Sequence, residues 1–140
     1  MAYWLFKSEA STWSWDQQVA AGPKGQEWDG VRNYQARNNM RAMQIGDLGL
    51  FYHSQDEKAA VGIVEVCALS HPDSTTDDPR WDCVDIRAVE PLNTPVTLAQ
   101  CKADPRLADM VLVNNTRLSV QPVTDTQWQV ILELAGHGKG

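Results

Sequence analysis

Amide, guanidinium and aromatic side chains are concentrated in one segment of the sequence, Trp28 to Asn39. The segment reads Trp-Asp-Gly-Val-Arg-Asn-Tyr-Gln-Ala-Arg-Asn-Asn and has few aliphatic residues, whereas a helix that faces a core carries three or four apolar residues per two turns. Asparagine, here Asn33, offers a donor and an acceptor side by side and suits the polar edge of a ligand. The composition favours a ligand-pocket wall over an amide-rich brace for a loop.

Aromatic side chains are the second ingredient of such a pocket, and the chain has six tryptophans. Stacking on one nucleobase contributes about 1 to 3 kcal/mol, and a base turned out of its stack needs flat walls. Trp28 lies in a turn-like context before Asp-Gly and is the first candidate for a stacking wall, with Trp13 and Trp15 as alternatives. Trp4 and Trp128 are predicted to lie in the core.

Polar residues also occur at the ends of three predicted strands, where side chains leave the core. If the sheet is small, these residues converge. They are Lys7, Ser8 and Glu9, then His53 and Ser54, then Arg117 and Ser119.

Patterns for catalysis or metal binding are weaker. His53 and Ser54 are adjacent, but neighbouring strand residues point to opposite faces, and the sequence has no Gly-x-Ser-x-Gly elbow. No recognised metal-ligand spacing occurs around His71 and the aspartates that follow it, so no metal is predicted. A general acid or base stays open in Lys7, Glu9 or Asp29.

Length and composition predict one domain over residues 1–136 with a short tail at 137–140. No stretch approaches the roughly 20 apolar residues that span a bilayer, and the first residues do not resemble a signal peptide. The three cysteines are an odd number without a Cys-x-x-Cys pair, which favours buried thiols in a reducing compartment. We expect a cytoplasmic monomer.

Charge is unevenly distributed along the chain. The net charge of −6 argues against a protein that coats nucleic acid through many phosphate contacts. Residues 31–45 nevertheless contain arginines and no acid, while Asp73–Asp85 is rich in aspartate. We therefore predict a locally positive face with phosphate contacts from Arg32, Arg37 and Arg41.

Hydrophobic periodicity and capping signals predict an α+β domain of five or six strands with inserted helices. Strands are expected over 2–7, 48–54, 60–69, 81–89 and 117–123, with a turn at 55–58. Capping-box spacings at Ser14–Gln17, Thr97–Gln100 and Thr124–Gln127 each predict a helix, the last ending near Gly136. A further helix is predicted over 34–43, with Asn33 as its cap.

Seven blocks, in order from residue 3 to about 132, resemble the EVE domain family, and the chain looks like a bacterial stand-alone member. The blocks lie at 3–9, 28–39, 46–47, 51–54, 61–63, 72–73 and 117–122. The resemblance implies a PUA-like fold, a curved sheet or small barrel related to the YTH domains. It also implies a reader of a modified base, either methylated or hydroxymethylated cytosine in DNA or a modified base in RNA.

The resemblance also implies which residues bind the base. Trp28, Asn33, Lys7 and Ser8 match the family's site, and His53, Ser54, Arg117 and Ser119 fall in its other pocket-forming blocks. The family usually has proline at position 10 and tyrosine or phenylalanine at position 13, where this chain has Ala10 and Trp13.

The leading hypothesis is binding without chemistry, in which a flipped base rests on Trp28 and no cofactor takes part. The nucleic acid carrying that base is the expected partner. The alternatives are a hydrolase of a modified nucleoside, with Lys7 and Glu9 as acid and base, and a protein-interaction module.

Overall fold

The computed structural model describes residues 2–54, 58–115 and 117–136. The predicted tail at 137–140 and most of the predicted turn at 55–58 lie outside this part of the chain. The strands are β1 (Tyr3–Ser8), β2 (Gln26–Glu27), β3 (Leu48–His53), β4 (Ala59–Pro72), β5 (Asp82–Thr97) and β6 (Val120–Val123). The helices are α1 (Trp15–Ala20), α2 (Tyr34–Ala42), α3 (Leu98–Ala103), α4 (Val111–Asn114) and α5 (Asp125–Leu134), with a 3-10 turn at Pro105–Leu107.

All six strands of the described chain form one open, mixed sheet in the order β2-β5-β4-β3-β1-β6. β1 and β3 are parallel, and the other neighbours are antiparallel. The pairing of β4 with β5 shifts register at four places, and such bulges bend and twist a sheet. The predicted α+β, PUA-like class with a curved sheet and inserted helices is confirmed.

The central strands are buried on both faces. Successive side chains of a strand point to opposite sides, so Leu5 packs in one core while Trp4 and Phe6 pack in the other. Phe51 on β3 joins the core of Trp4 and Phe6, which also contains Trp28. The first core is covered by α3 and α5, and the second is covered by α2 and the segment that follows β2.

Four helices begin at the capping residues that the sequence predicted. Ser14, Thr97 and Thr124 each form the predicted capping box, and Asn33 caps α2 through its side-chain oxygen. No helix in the described ranges is long and apolar enough to cross a membrane.

Several elements differ from the sequence prediction, among them β5, which continues to Thr97 although its strand was expected to end at residue 89. β2 and α4 have only two and four residues, too few to show a period, and were not predicted. The strand expected over 117–123 begins only at Val120, because residues 117–119 run as a turn and bend before it.

Candidate nucleic-acid interface

A cleft of about 400 Å³ opens where β1 ends beside the segment that contains β2. This volume lies in the range of small-molecule binding sites. The cleft is lined by Lys7–Glu9, Thr12, Trp13, Gln26–Arg32 and Ser119. The structure therefore brings together three of the sequence blocks from which a pocket was predicted.

Trp28 forms a rigid wall of this cleft. Its side chain is only 7% exposed and packs in edge-to-face geometry on Phe6 at 5.4 Å and Phe51 at 5.7 Å between ring centroids. Its backbone N–H donates to the Val84 carbonyl at 2.9 Å. The indole is thus held in place before any ligand arrives, which reduces the entropy cost of binding.

The end of β1 supplies the polar side of the cleft. The Lys7 N–H donates to the Ser119 carbonyl at 2.8 Å, which holds these two lining residues together. The Ser8 hydroxyl donates to the Trp13 carbonyl, so its oxygen can still accept a hydrogen bond from a ligand. Burial lowers the pKa of Lys7.

A buried carboxylate fixes the loop on the opposite side. Asp73 is 2% exposed and accepts hydrogen bonds from the Gly30 N–H at 2.8 Å, Arg32 Nη1 at 3.1 Å and both the N–H and hydroxyl of Thr75. Burial alone would raise its pKa, but these hydrogen bonds outweigh burial and lower the pKa to about 2. Gly30 permits this backbone conformation, because its φ of 78° is strained for other residues.

Three carboxylates, Glu9, Glu27 and Asp29, also line the cleft. Partial burial, together with the negative charges of Asp73 and Glu27, raises the pKa of Asp29. The hydrogen bond from the Ser74 hydroxyl lowers the pKa of Glu27. The cleft therefore contains more anionic than cationic side chains, since only Lys7 and Arg32 oppose the three acids.

The predicted phosphate-binding arginines have protein partners. Arg32 lines the cleft but pairs with Asp73, and Arg41 pairs with Asp82 at 2.6 Å. Arg37 donates to the Arg80 carbonyl at 2.9 Å, away from the cleft. The arginine-rich and aspartate-rich segments of the sequence thus pair in space, which reduces the positive face predicted from the sequence.

Four predicted ligand-binding residues lie outside the cleft lining, and each has another position in the fold. Asn33 accepts from the Ala36 N–H at 2.9 Å, which confirms it as the cap of α2. His53 Nε2 accepts from the Trp15 N–H at 3.2 Å, and Ser54 donates to the Ser8 carbonyl. Arg117 is exposed in the turn before β6.

Several lining residues were not predicted as ligand contacts. Thr12, Gln26 and Glu27 were missed because no local pattern distinguishes them, and Gln26 and Glu27 are positioned by the pairing of β2 with β5. Trp13, named as an alternative stacking wall, does line the cleft, where its indole N–H donates to Gln18 at 2.8 Å.

Comparison with known proteins identifies the family of this chain. The family model described as the EVE domain matches residues 2–134. The chain belongs to this family. Human thymocyte nuclear protein 1 is 32% identical over 165 residues, covering 95% of this chain and 73% of that protein. The resemblance predicted from the seven blocks is confirmed.

Solved structures of EVE relatives superpose closely. The crystal structure of protein Atu2648 from Agrobacterium tumefaciens is 57% identical, has a TM-score of 0.97 and covers 100% of this chain and 97% of its own. The human THYN1 protein, crystallised in complex with DNA containing 5-methylcytosine, is 31% identical, has a TM-score of 0.91 and covers 96% of this chain and 98% of its own.

Proposed function

We propose that this EVE domain binds DNA that contains a modified cytosine, and that the cleft beside Trp28 holds that base turned out of its stack. The observation that carries the proposal is the cleft itself, where a fixed indole faces a polar strand end. The human relative, crystallised with 5-methylcytosine DNA and sharing the fold over 96% of this chain, supports the choice of ligand.

The acidic lining favours a base with an exocyclic amino group. Cytosine presents an N4 amino donor, whereas thymine presents an oxygen acceptor at the same position. A carboxylate from Asp29 or Glu9 accepts a hydrogen bond from the amino group and repels the thymine oxygen. Lys7 and Ser8 also line the cleft, where the Lys7 amine can donate to the N3 and O2 acceptors of cytosine.

The preference for 5-methylcytosine over unmodified cytosine is expected to be modest. One extra methyl in an apolar corner contributes about 1 to 3 kcal/mol, which is roughly 10- to 200-fold in affinity. Discrimination against thymine is expected to be larger, because the acidic groups would lose a hydrogen-bond donor and face an acceptor.

Fluorescence anisotropy with three matched oligonucleotides tests the proposal. The oligonucleotides carry 5-methylcytosine, cytosine or thymine at one position, and we expect affinity to decrease in that order. Replacement of Trp28 by leucine should remove the differences in affinity among the three oligonucleotides. The matched control is Trp128→Leu, because Trp128 stacks on Tyr3 at 4.3 Å in the other core, outside the cleft lining. Equal affinity for all three oligonucleotides would refute the proposal.

One observation favours a second candidate function, hydrolysis of a modified nucleoside. Lys7 and Glu9 line the same cleft, and the pKa of Lys7 is lowered by burial, as a general base requires. Incubation of the protein with modified nucleosides, followed by mass spectrometry, separates the two functions. A reader returns its ligand intact, whereas a hydrolase releases a product that a Lys7→Met variant does not form.

A further inference from the structure

Three potential metal ligands of different chemistry meet at one edge of the sheet. Glu27, His71 and Cys83 place a carboxylate oxygen, a ring nitrogen and a thiol sulfur within 4.8 Å of one another. They come from β2, β4 and β5, and β5 lies between the other two strands. No sequence spacing reveals this group, because its members are far apart along the chain.

Strand register explains the convergence. His71 pairs directly with Cys83 across β4 and β5, and Glu27 pairs with Asp85 across β2 and β5. Cys83 and Asp85 are two residues apart and therefore point to the same side of the sheet. The register of β4 against β5 shifts between Ala68 and His71, and such bulges are common near functional sites.

Existing hydrogen bonds link these three groups to one another and to their neighbours. The Cys83 thiol donates to Glu27 Oε1 at 3.3 Å, the bond that a shared cation would replace. His71 Nε2 contacts Asp85 Oδ1 at 2.8 Å, and Nδ1 contacts the Pro72 carbonyl at 3.1 Å. A bound ion would replace one of these two contacts, and the remaining carboxylate or carbonyl partner on the other nitrogen would orient the ring, as it does in almost all metal-bound histidines.

The group is open on one side and closed on the other. Cys83 is fully buried, whereas the His71 and Asp85 side chains are 35% and 28% exposed. An ion would therefore approach the group from the side of the imidazole.

We propose that Glu27, His71 and Cys83 form a binding site for Zn²⁺ or a similar ion such as Co²⁺. Thiolate, imidazole and carboxylate are the protein ligands of Zn²⁺, and three of them leave one tetrahedral position for water. Mg²⁺ and Ca²⁺ take oxygen ligands and are not expected here. Binding converts the Cys83 thiol to a thiolate, and its proton passes to solvent.

The position of the site gives it a structural consequence. Glu27 directly precedes Trp28 and also lines the cleft. A bound ion would tie β2 to β4 and β5 and hold the indole wall more firmly. Metal binding itself does not depend on which ligand the cleft accepts, so the two proposals can fail separately.

Titration of the metal-free protein with Co²⁺ tests the site. We expect one saturable equivalent and a thiolate-to-cobalt charge-transfer band, which Zn²⁺ removes by competition. The band should be absent in Cys83→Ser and unchanged in Cys101→Ser, a buried thiol on α3. His71→Gln alters a partly exposed side chain, so it should fold normally and bind Co²⁺ at least tenfold more weakly. Asp85→Asn should weaken binding by about 10- to 100-fold.

Three results would overturn the proposal. They are the absence of a charge-transfer band at saturating Co²⁺, persistence of the band in Cys83→Ser, and unchanged Co²⁺ affinity in His71→Gln. Thermal unfolding gives an independent readout, because added Zn²⁺ should raise the Tm of the unmodified protein and of Cys101→Ser but not that of His71→Gln.

Discussion

Replacement of Asp73 by asparagine removes the charge that fixes the Gly30–Arg32 side of the cleft. Both carboxylate oxygens accept hydrogen bonds, Oδ2 from Gly30 and Arg32 and Oδ1 from Thr75. An asparagine keeps one oxygen and turns an NH₂ donor toward donors on the other side. Loss of hydrogen bonds to a charged acceptor costs about 1.5 to 3 kcal/mol.

The pKa of Asp73 gives a similar magnitude. A fall from 3.8 to about 2 corresponds to about 2 kcal/mol of stabilisation of the ionised form. We therefore expect Asp73→Asn to reduce the free energy of unfolding by about 2 to 3 kcal/mol and the Tm by about 6 to 12 °C. Asp77→Asn is the matched control, because Asp77 lies exposed in the same loop.

The pH dependence has a defined sign. Because the folded pKa of Asp73 is below the unfolded value, its stabilisation is present above about pH 4 and is lost as the pH falls toward 2. Urea unfolding of both variants between pH 7 and pH 2 measures it. A typical point mutation changes the free energy of unfolding by about 1 kcal/mol. The reasoning would be refuted if the free energies of unfolding of Asp73→Asn and Asp77→Asn differed by less than about 0.5 kcal/mol at pH 7. A difference that stays constant down to pH 2 would refute it as well.

Three further predictions concern binding of the 5-methylcytosine oligonucleotide. Affinity should fall as the pH rises through the pKa of Lys7, below the usual range for lysine, and Lys7→Arg should remove that fall because arginine stays charged. Asn33→Ser should leave the affinity and the free energy of unfolding unchanged, because serine also caps helices. Asn33→Ala should reduce the free energy of unfolding by about 1 kcal/mol and leave the affinity unchanged. Anisotropy measures the affinity, and urea unfolding measures the stability. The slope of log affinity against log salt should not exceed about 3 in magnitude, because Arg32 and Arg41 already have carboxylate partners; a slope near 6 would contradict this.

Local signals predicted the helices well. The capping boxes at Ser14, Thr97 and Thr124 involve residues only three positions apart, so the sequence contains the whole interaction. Asn33 shows the limit of the same argument. One amide has the chemistry of both a helix cap and a base reader, and its place outside the cleft lining depends on the fold of the whole chain.

Non-local pairing accounts for what the sequence did not predict. The partners of Arg32 and Arg41 both lie 41 residues further along the chain, so the charge segregation seen in the sequence disappears on folding. Glu27 reaches both the cleft and Cys83 because β2 pairs with β5, and a two-residue strand has no periodicity to detect. Trp28 does lie in the cleft lining, and its position next to Asp-Gly in a turn, from which a wall was predicted, is a local feature.

The central claim, that the cleft beside Trp28 holds the base, is tested most directly by the indole N–H resonances of the ¹⁵N-labelled protein during titration with a 5-methylcytosine oligonucleotide. We expect the resonances of Trp28 and Trp13 to shift, because both line the cleft. The resonances of Trp4, whose indole donates to buried Asp47, and of Trp128, which stacks on Tyr3, should not move. Binding of the oligonucleotide with no change at Trp28 would contradict the account.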